Sequence, residues 1–102
     1  MAKFVYIFTG GQMADTPAAQ EEAMQAWGAW FETLGDAVAD IGNPFSTSAT
    51  VSTNGVASGA AGAASGYSIV TADSIDGAAA LAKGCPILTG GGTVEVYEAV
   101  PM

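Results

Sequence analysis

The chain of 102 residues contains no histidine and no arginine, and its only cationic side chains are Lys3 and Lys83. The absence of a basic surface excludes phosphate backbones as partners, because nucleic-acid affinity rests on lysine and arginine neutralising phosphates. The same shortage disfavours anionic membrane surfaces and strongly anionic ligands. A single cysteine, Cys85, leaves no internal disulfide to form, which fits a reducing compartment. Long hydrophobic runs are lacking too. The apolar stretch from Phe4 to Phe8 is too short for a membrane span or a signal peptide, so a cytoplasmic location is expected.

Acidic residues are plentiful by contrast: ten carboxylates set the formal charge at −8. Self-repulsion at that charge opposes indiscriminate association and says nothing about fold. Half the residues are apolar, enough for one domain over 1–102 with a modest core and no room for a second.

Lys3 to Thr9 is aromatic and β-branched and stops at Gly10-Gly11, the pattern of a strand closed by a turn. Thr16 suits an N-cap and Pro17 the first helical position, with Glu21 and Glu22 near the positive end of the helix dipole. Met24, Trp27, Phe31, Leu34, Val38 and Ile41 then recur in steps of three and four, which predicts one long helix ending at Gly42-Asn43-Pro44. Gly28 and Gly35 border that stripe, where close approach of backbone or ligand is one reading and a kink at Gly35 the other. Phe45 to Thr53 alternates as a half-exposed second strand and meets a hairpin-type turn at Asn54-Gly55. Val56 to Ser65 is nearly all small residues and reads as a mobile connection. Tyr67 to Ala72 is the third strand, Ser74 caps a shorter helix ending near Gly84, and Thr93 to Ala99 is the fourth strand.

The resulting order, βαββαβ, predicts an α+β fold of the ferredoxin-like kind. One four-stranded antiparallel sheet has its first and third strands central and both helices on one face. The first strand is apolar on both faces and the third nearly so, while two helices cover only one face. An open apolar sheet surface calls for a cover, and the simplest is the same face of a second copy, giving a homodimer.

The run Gly66-Tyr67-Ser68-Ile69-Val70-Thr71-Ala72-Asp73-Ser74-Ile75-Asp76, followed by Leu81-Ala82-Lys83-Gly84-Cys85-Pro86 and Gly91-Gly92-Thr93-Val94-Glu95-Val96, resembles the C-terminal half of YCII-related proteins, including their DGPF-type branch. Trp27-x-x-Trp30-Phe31-x-x-Leu34-Gly35-Asp36 with Gly42-Asn43-Pro44 is similar to their first helix and its exit. The resemblance implies a dimeric α+β barrel with a cleft between sheet and long helix, and no settled activity. Better understood relatives use a histidine and an aspartate in that cleft. The lack of any histidine removes that acid–base chemistry here, and the DGPF signature is absent as well.

Trp27, Trp30 and Phe31 are the residues expected to wall a small-molecule pocket, with Trp30 one position outside the clean stripe; the alternative for such a stripe is packing. Tyr6, Tyr67 and Tyr97 stand on strands from which a phenol reaches a ligand or, as buried tyrosines commonly do, a single protein partner. Asp36 is the one candidate general base, against its reading as a solvated helix residue, and Asp40 is weaker. Asp73-Ser74-x-Asp76 is a capping sequence and supplies too few oxygens for a metal. Cys85 lacks cationic neighbours other than Lys83 and reads as a bystander thiol. Gly90-Gly91-Gly92 precedes a strand and lacks the helix and lysine of a phosphate loop, so it is a turn.

Three functions follow as expectations. The first is a homodimeric module binding a small neutral or apolar molecule, with no metal or cofactor. The second is a cofactor-free isomerase, lyase or oxygenase-like enzyme using Asp36 or a tyrosine. The third is a structural partner in an assembly. A fully exposed Asp36 would remove the enzyme reading's best candidate, and a solidly packed helix–sheet interface would count against the first two.

Overall fold

The computed structural model describes residues 1–11, 15–60 and 64–102. It is an α+β fold with one four-stranded antiparallel sheet, two helices and a separate two-stranded hairpin. Strand β1 (Ala2–Thr9) lies centrally between β5 (Ala64–Ala72) and β6 (Thr93–Ala99), and the short edge strand β2 (Val38–Asp40) flanks β5. Phe4, Tyr6 and Phe8 of β1 pair with Val70, Ser68 and Gly66 of β5, and all six are buried on the face that carries the helices. Alternation sends Val5, Ile7, Tyr67, Ile69 and Thr71 to the opposite face, where each is only partly covered.

Both helix starts form as their residues dictate. The Thr16 hydroxyl accepts the Ala19 N–H at 3.1 Å ahead of α1 (Pro17–Leu34), and the Ser74 hydroxyl accepts the Gly77 N–H at 3.1 Å ahead of α2 (Ile75–Ala82). Glu21 and Glu22 fall one turn beyond the first, where the dipole acts weakly.

The long helix is capped at Gly35, seven residues before the expected Gly42. Gly35 adopts φ 56° and ψ −125°, a conformation that side chains disfavour, and its N–H closes on the Phe31 carbonyl. The chain then makes one 3-10 turn, Gly35–Ala37, and runs extended along β5. Val38 therefore belongs to an edge strand, and Ile41, 60% exposed, never joins a helical stripe. Met24 at the other end is 75% exposed. The buried face of α1 is centred instead on Trp27, Trp30, Phe31 and Leu34, spaced i, i+3, i+4, i+7. A Cβ on Gly28 or Gly35 would meet nothing within 4 Å, so neither glycine marks a close approach.

Apart from Phe45 at its start, the strand expected over 45–53 is not part of the sheet. Residues 49–52 (β3) pair with 55–58 (β4) as a hairpin whose strand residues are all exposed. The sheet edge is taken by the preceding segment: Tyr67 N–H donates to the Asn43 carbonyl at 3.2 Å and Phe45 N–H to the Ser65 carbonyl at 2.8 Å. Of the connection expected over 56–65, residues 56–58 are strand, 64–65 open β5, and 61–63 lie outside the described residues.

Candidate functional site

The helix–sheet interface is not solidly packed. The N-terminal half of α1 is almost wholly exposed, and beneath it a cavity of about 560 Å³ opens between α1, the 41–44 segment and the start of β5. That volume lies within the range typical of small-molecule sites. Phe8, Trp27 and Phe31 form its aromatic wall, with the Phe8 ring edge-on to Trp27 at 5.1 Å and Phe31 6.1 Å from Trp27. Met24, Ile41 and Ile87 add aliphatic surface.

The opposite wall exists because two backbones come unusually close. Gly42, at φ 78°, sits so near β5 that a Cβ would lie 1.8 Å from the Tyr67 carbonyl oxygen. Gly66 answers it from β5, where a Cβ would stand 3.1 Å from the Asn43 carbonyl. The turn that aims this segment is set by Asp40, whose carboxylate accepts the Gly42 N–H at 2.9 Å. Asp40 thus acts as a turn former.

Of the five residues expected to bind a ligand, Trp27 and Phe31 line the cavity with their rings. Trp30 does not line it: 6% exposed, it stacks on Tyr6 at 6.0 Å and donates its indole N–H to the Leu81 carbonyl. Tyr6 is fully buried in the core and donates its hydroxyl to the Ala78 carbonyl. Burial pushes the Tyr6 phenol up to about 12, with the nearby Cys85 adding to the rise. Tyr67 touches the cavity, but its place in the β5 register puts its ring on the far face of the sheet, stacked on Phe45 at 5.8 Å. Its contribution to the wall is therefore backbone.

Asp36 is exposed on the 3-10 turn and is not among the lining residues. Asp40, exposed at the end of β2, does not line the cavity either, and Tyr97 is 54% exposed on the edge strand with its hydroxyl directed at Glu95. Cys85 is buried, its thiol pushed up to about 11 by burial, which the Ile87 backbone hydrogen bond partly offsets. A thiol so held is mostly protonated and unreactive at neutral pH. Among the described residues no three of Cys, Asp and Glu converge as metal ligands, and no helix is long and apolar enough to cross a membrane.

The sequence pattern did not single out Phe8, Asn43, Ser65, Ser68 or Ile87, all of which line the cavity. The one available signal was Gly42-Asn43-Pro44, which marks the end of a helix as readily as a segment laid against a strand. The lining has no acidic or basic side chain, and the chain carries none at all between Asp40 and Asp73, although its net charge is −8. Chemically the cavity offers an apolar, partly aromatic enclosure with a few neutral polar groups, and no group suited to moving a proton near neutral pH. No family model, curated protein or solved structure matches the chain.

Proposed function

We propose that this protein is a small-molecule-binding module of the YCII-related, ferredoxin-like kind, holding an uncharged, mainly apolar ligand between its sheet and α1 and working as a homodimer. The observation that carries the ligand reading is the 560 Å³ cavity walled by Phe8, Trp27 and Phe31 with no acidic or basic side chain in its lining. A charged ligand entering it would lose hydration without gaining a counter-charge. Support for the dimer comes from the strand order β2-β5-β1-β6, which leaves Val5, Ile7 and Ile69 on a face without helices.

The binding reading is favoured over the enzyme one, whose candidates stand away from the cavity. Asp36 faces solvent, the Tyr6 phenol is committed to Ala78, and the Tyr67 ring lies across the sheet from the cavity.

The test is titration with the neutral fluorophore N-phenyl-1-naphthylamine. Saturable enhancement is expected for the native chain and its loss for Ala23→Trp, which fills the cavity from an exposed helix position. Equal enhancement in a folded Ala23→Trp variant, or none in the native chain, would sink the reading.

A further inference from the structure

The hairpin of β3 and β4 carries an apolar face that the described chain leaves open to water. Val51 and Val56 stand opposite each other in its ladder, with Ala49 and Ser58 on the same side and Thr50, Ser52, Gly55 and Ala57 on the other. The two valines are 76% and 75% exposed. At the base the hairpin closes on itself: the Thr50 hydroxyl donates to the Gly59 carbonyl at 2.7 Å, and the Ser48 hydroxyl accepts the Ala60 N–H at 3.0 Å. A lone two-stranded ribbon is marginal in water, so a paired valine face calls for a cover.

Surface area and charge point to a second copy as that cover. A compact monomer of 10.1 kDa exposes about 5,300 Å², whereas this chain exposes 6998 Å². The excess is roughly 1,700 Å² per chain, so two copies together carry what an obligate dimer removes from water, about 2,000–5,000 Å² in all. The radius of gyration, 14.8 Å, likewise exceeds the roughly 13 Å of a compact chain of this length. Copies charged at −8 repel one another, which favours contact through surface free of carboxylates, and residues 41–72 have none. The hairpin lies within that stretch. Its root adjoins the open face of the sheet, where Phe45 stacks on Tyr67 at 5.8 Å.

Resting on the homodimer reading above, we propose that residues 49–58 are an intersubunit arm, which reaches past its own sheet and lays Val51 and Val56 on a second copy of the chain. Two-fold symmetry returns the contact, so each copy both gives an arm and receives one. The open sheet face sets where the copies meet, and the arms hold them there.

Sedimentation of the native chain, Val51→Asp and Ala57→Asp over a concentration series tests the arm. Both substitutions fall on exposed positions outside the core and add the same charge, on opposite sides of the hairpin. Burying a valine is worth a factor of about 10, so Val51→Asp, which strips one from each of two arms, should weaken the dimer at least about 100-fold. Ala57→Asp should leave it nearly unchanged at physiological ionic strength. Amide exchange over 49–58 should be slow in the native dimer and fast once dilution separates the copies. A Val51→Asp chain that dimerises as tightly as the native one overturns the arm and leaves the dimer standing, and equal weakening by both aspartates overturns the valine contact. Loss of the dimer in Val51→Asp but not in Ile69→Glu supports the arm and sinks the sheet-face interface. A native chain that stays monomeric ends both proposals.

Discussion

The indole N–H of Trp30 donates to the main-chain carbonyl of Leu81, 3.1 Å away, and so ties α1 to the C-terminal turn of α2. That carbonyl lies in the last turn of α2, where acceptors lack intrahelical partners. The bond explains why Trp30, not Trp27, is the buried indole, and it assigns the two tryptophans to different tasks.

Trp30→Ala is expected to destabilise the fold by about 3–5 kcal/mol, the usual cost of emptying a large aromatic site. Trp30→Phe keeps much of the packing and costs about 1–3 kcal/mol, through the lost hydrogen bond and some lost volume. Trp27→Ala removes a partly exposed wall residue instead. Chemical denaturation should rank the three in that order of damage, Trp27→Ala last, whereas fluorophore binding should suffer most in Trp27→Ala.

Two glycines should respond to alanine with opposite signs. At Gly28 a Cβ meets open space within a helix, and Gly28→Ala should stabilise by about 0.5–1 kcal/mol. At Gly42 the left-handed backbone alone costs about 1–2 kcal/mol for any side chain. The added Cβ would also collide with the Tyr67 carbonyl, so Gly42→Ala should destabilise by more than that and disturb ligand binding. Thermal melts of the two variants side by side decide the matter.

Stability should decline in alkali. In the unfolded chain the Cys85 thiol loses its proton near its ordinary value of 9.0 and the Tyr6 phenol near 10.0, while burial holds them to about 11 and about 12 in the fold. Between those limits the unfolded chain binds fewer protons than the native one, so stability falls as pH rises. The contribution is fully present below about pH 9 and lost progressively toward 12. Denaturation midpoints should therefore drop across that window, and Cys85→Ala should shift the onset upward by about one unit, leaving the Tyr6 part.

The proposed dimer predicts a sedimentation mass near twice 10.1 kDa at micromolar concentration. Ile69→Glu, on the open face of a central strand, should return the chain to a monomer with its secondary structure intact. A native chain sedimenting as a stable monomer would refute the dimer and leave the cavity proposal standing.

Much of the sheet is readable from alternation and from the glycines that bound it, because Phe4, Tyr6 and Phe8 repeat with period two and nothing competes with that pattern. Both helix starts are equally plain from Thr16-Pro17 and Ser74. The helix exit is not. Val38 and Ile41 continue a spacing of three and four, and only the backbone angle of Gly35, invisible in a one-letter string, stops the helix there. That early stop moves the sheet edge to 38–45 and frees 49–58 to form a hairpin of its own, through the very turn that Asn54-Gly55 announced. The candidate site shares the error. Trp27 and Phe31 were legible as a wall, but Asn43 and the serines depend on where the chain runs after Gly35.

The uncharged stretch between Asp40 and Asp73 has a further consequence, for the solution conditions under which the cavity works. It supplies most of the wall facing α1, which Phe8 and Ile87 complete, and no acidic or basic side chain joins it from elsewhere. The association of a neutral ligand with such a lining has no counter-ions to release and no charges to screen. Ionic strength and mild acidity will alter how copies of this acidic protein repel one another while leaving its grip on an uncharged guest nearly constant.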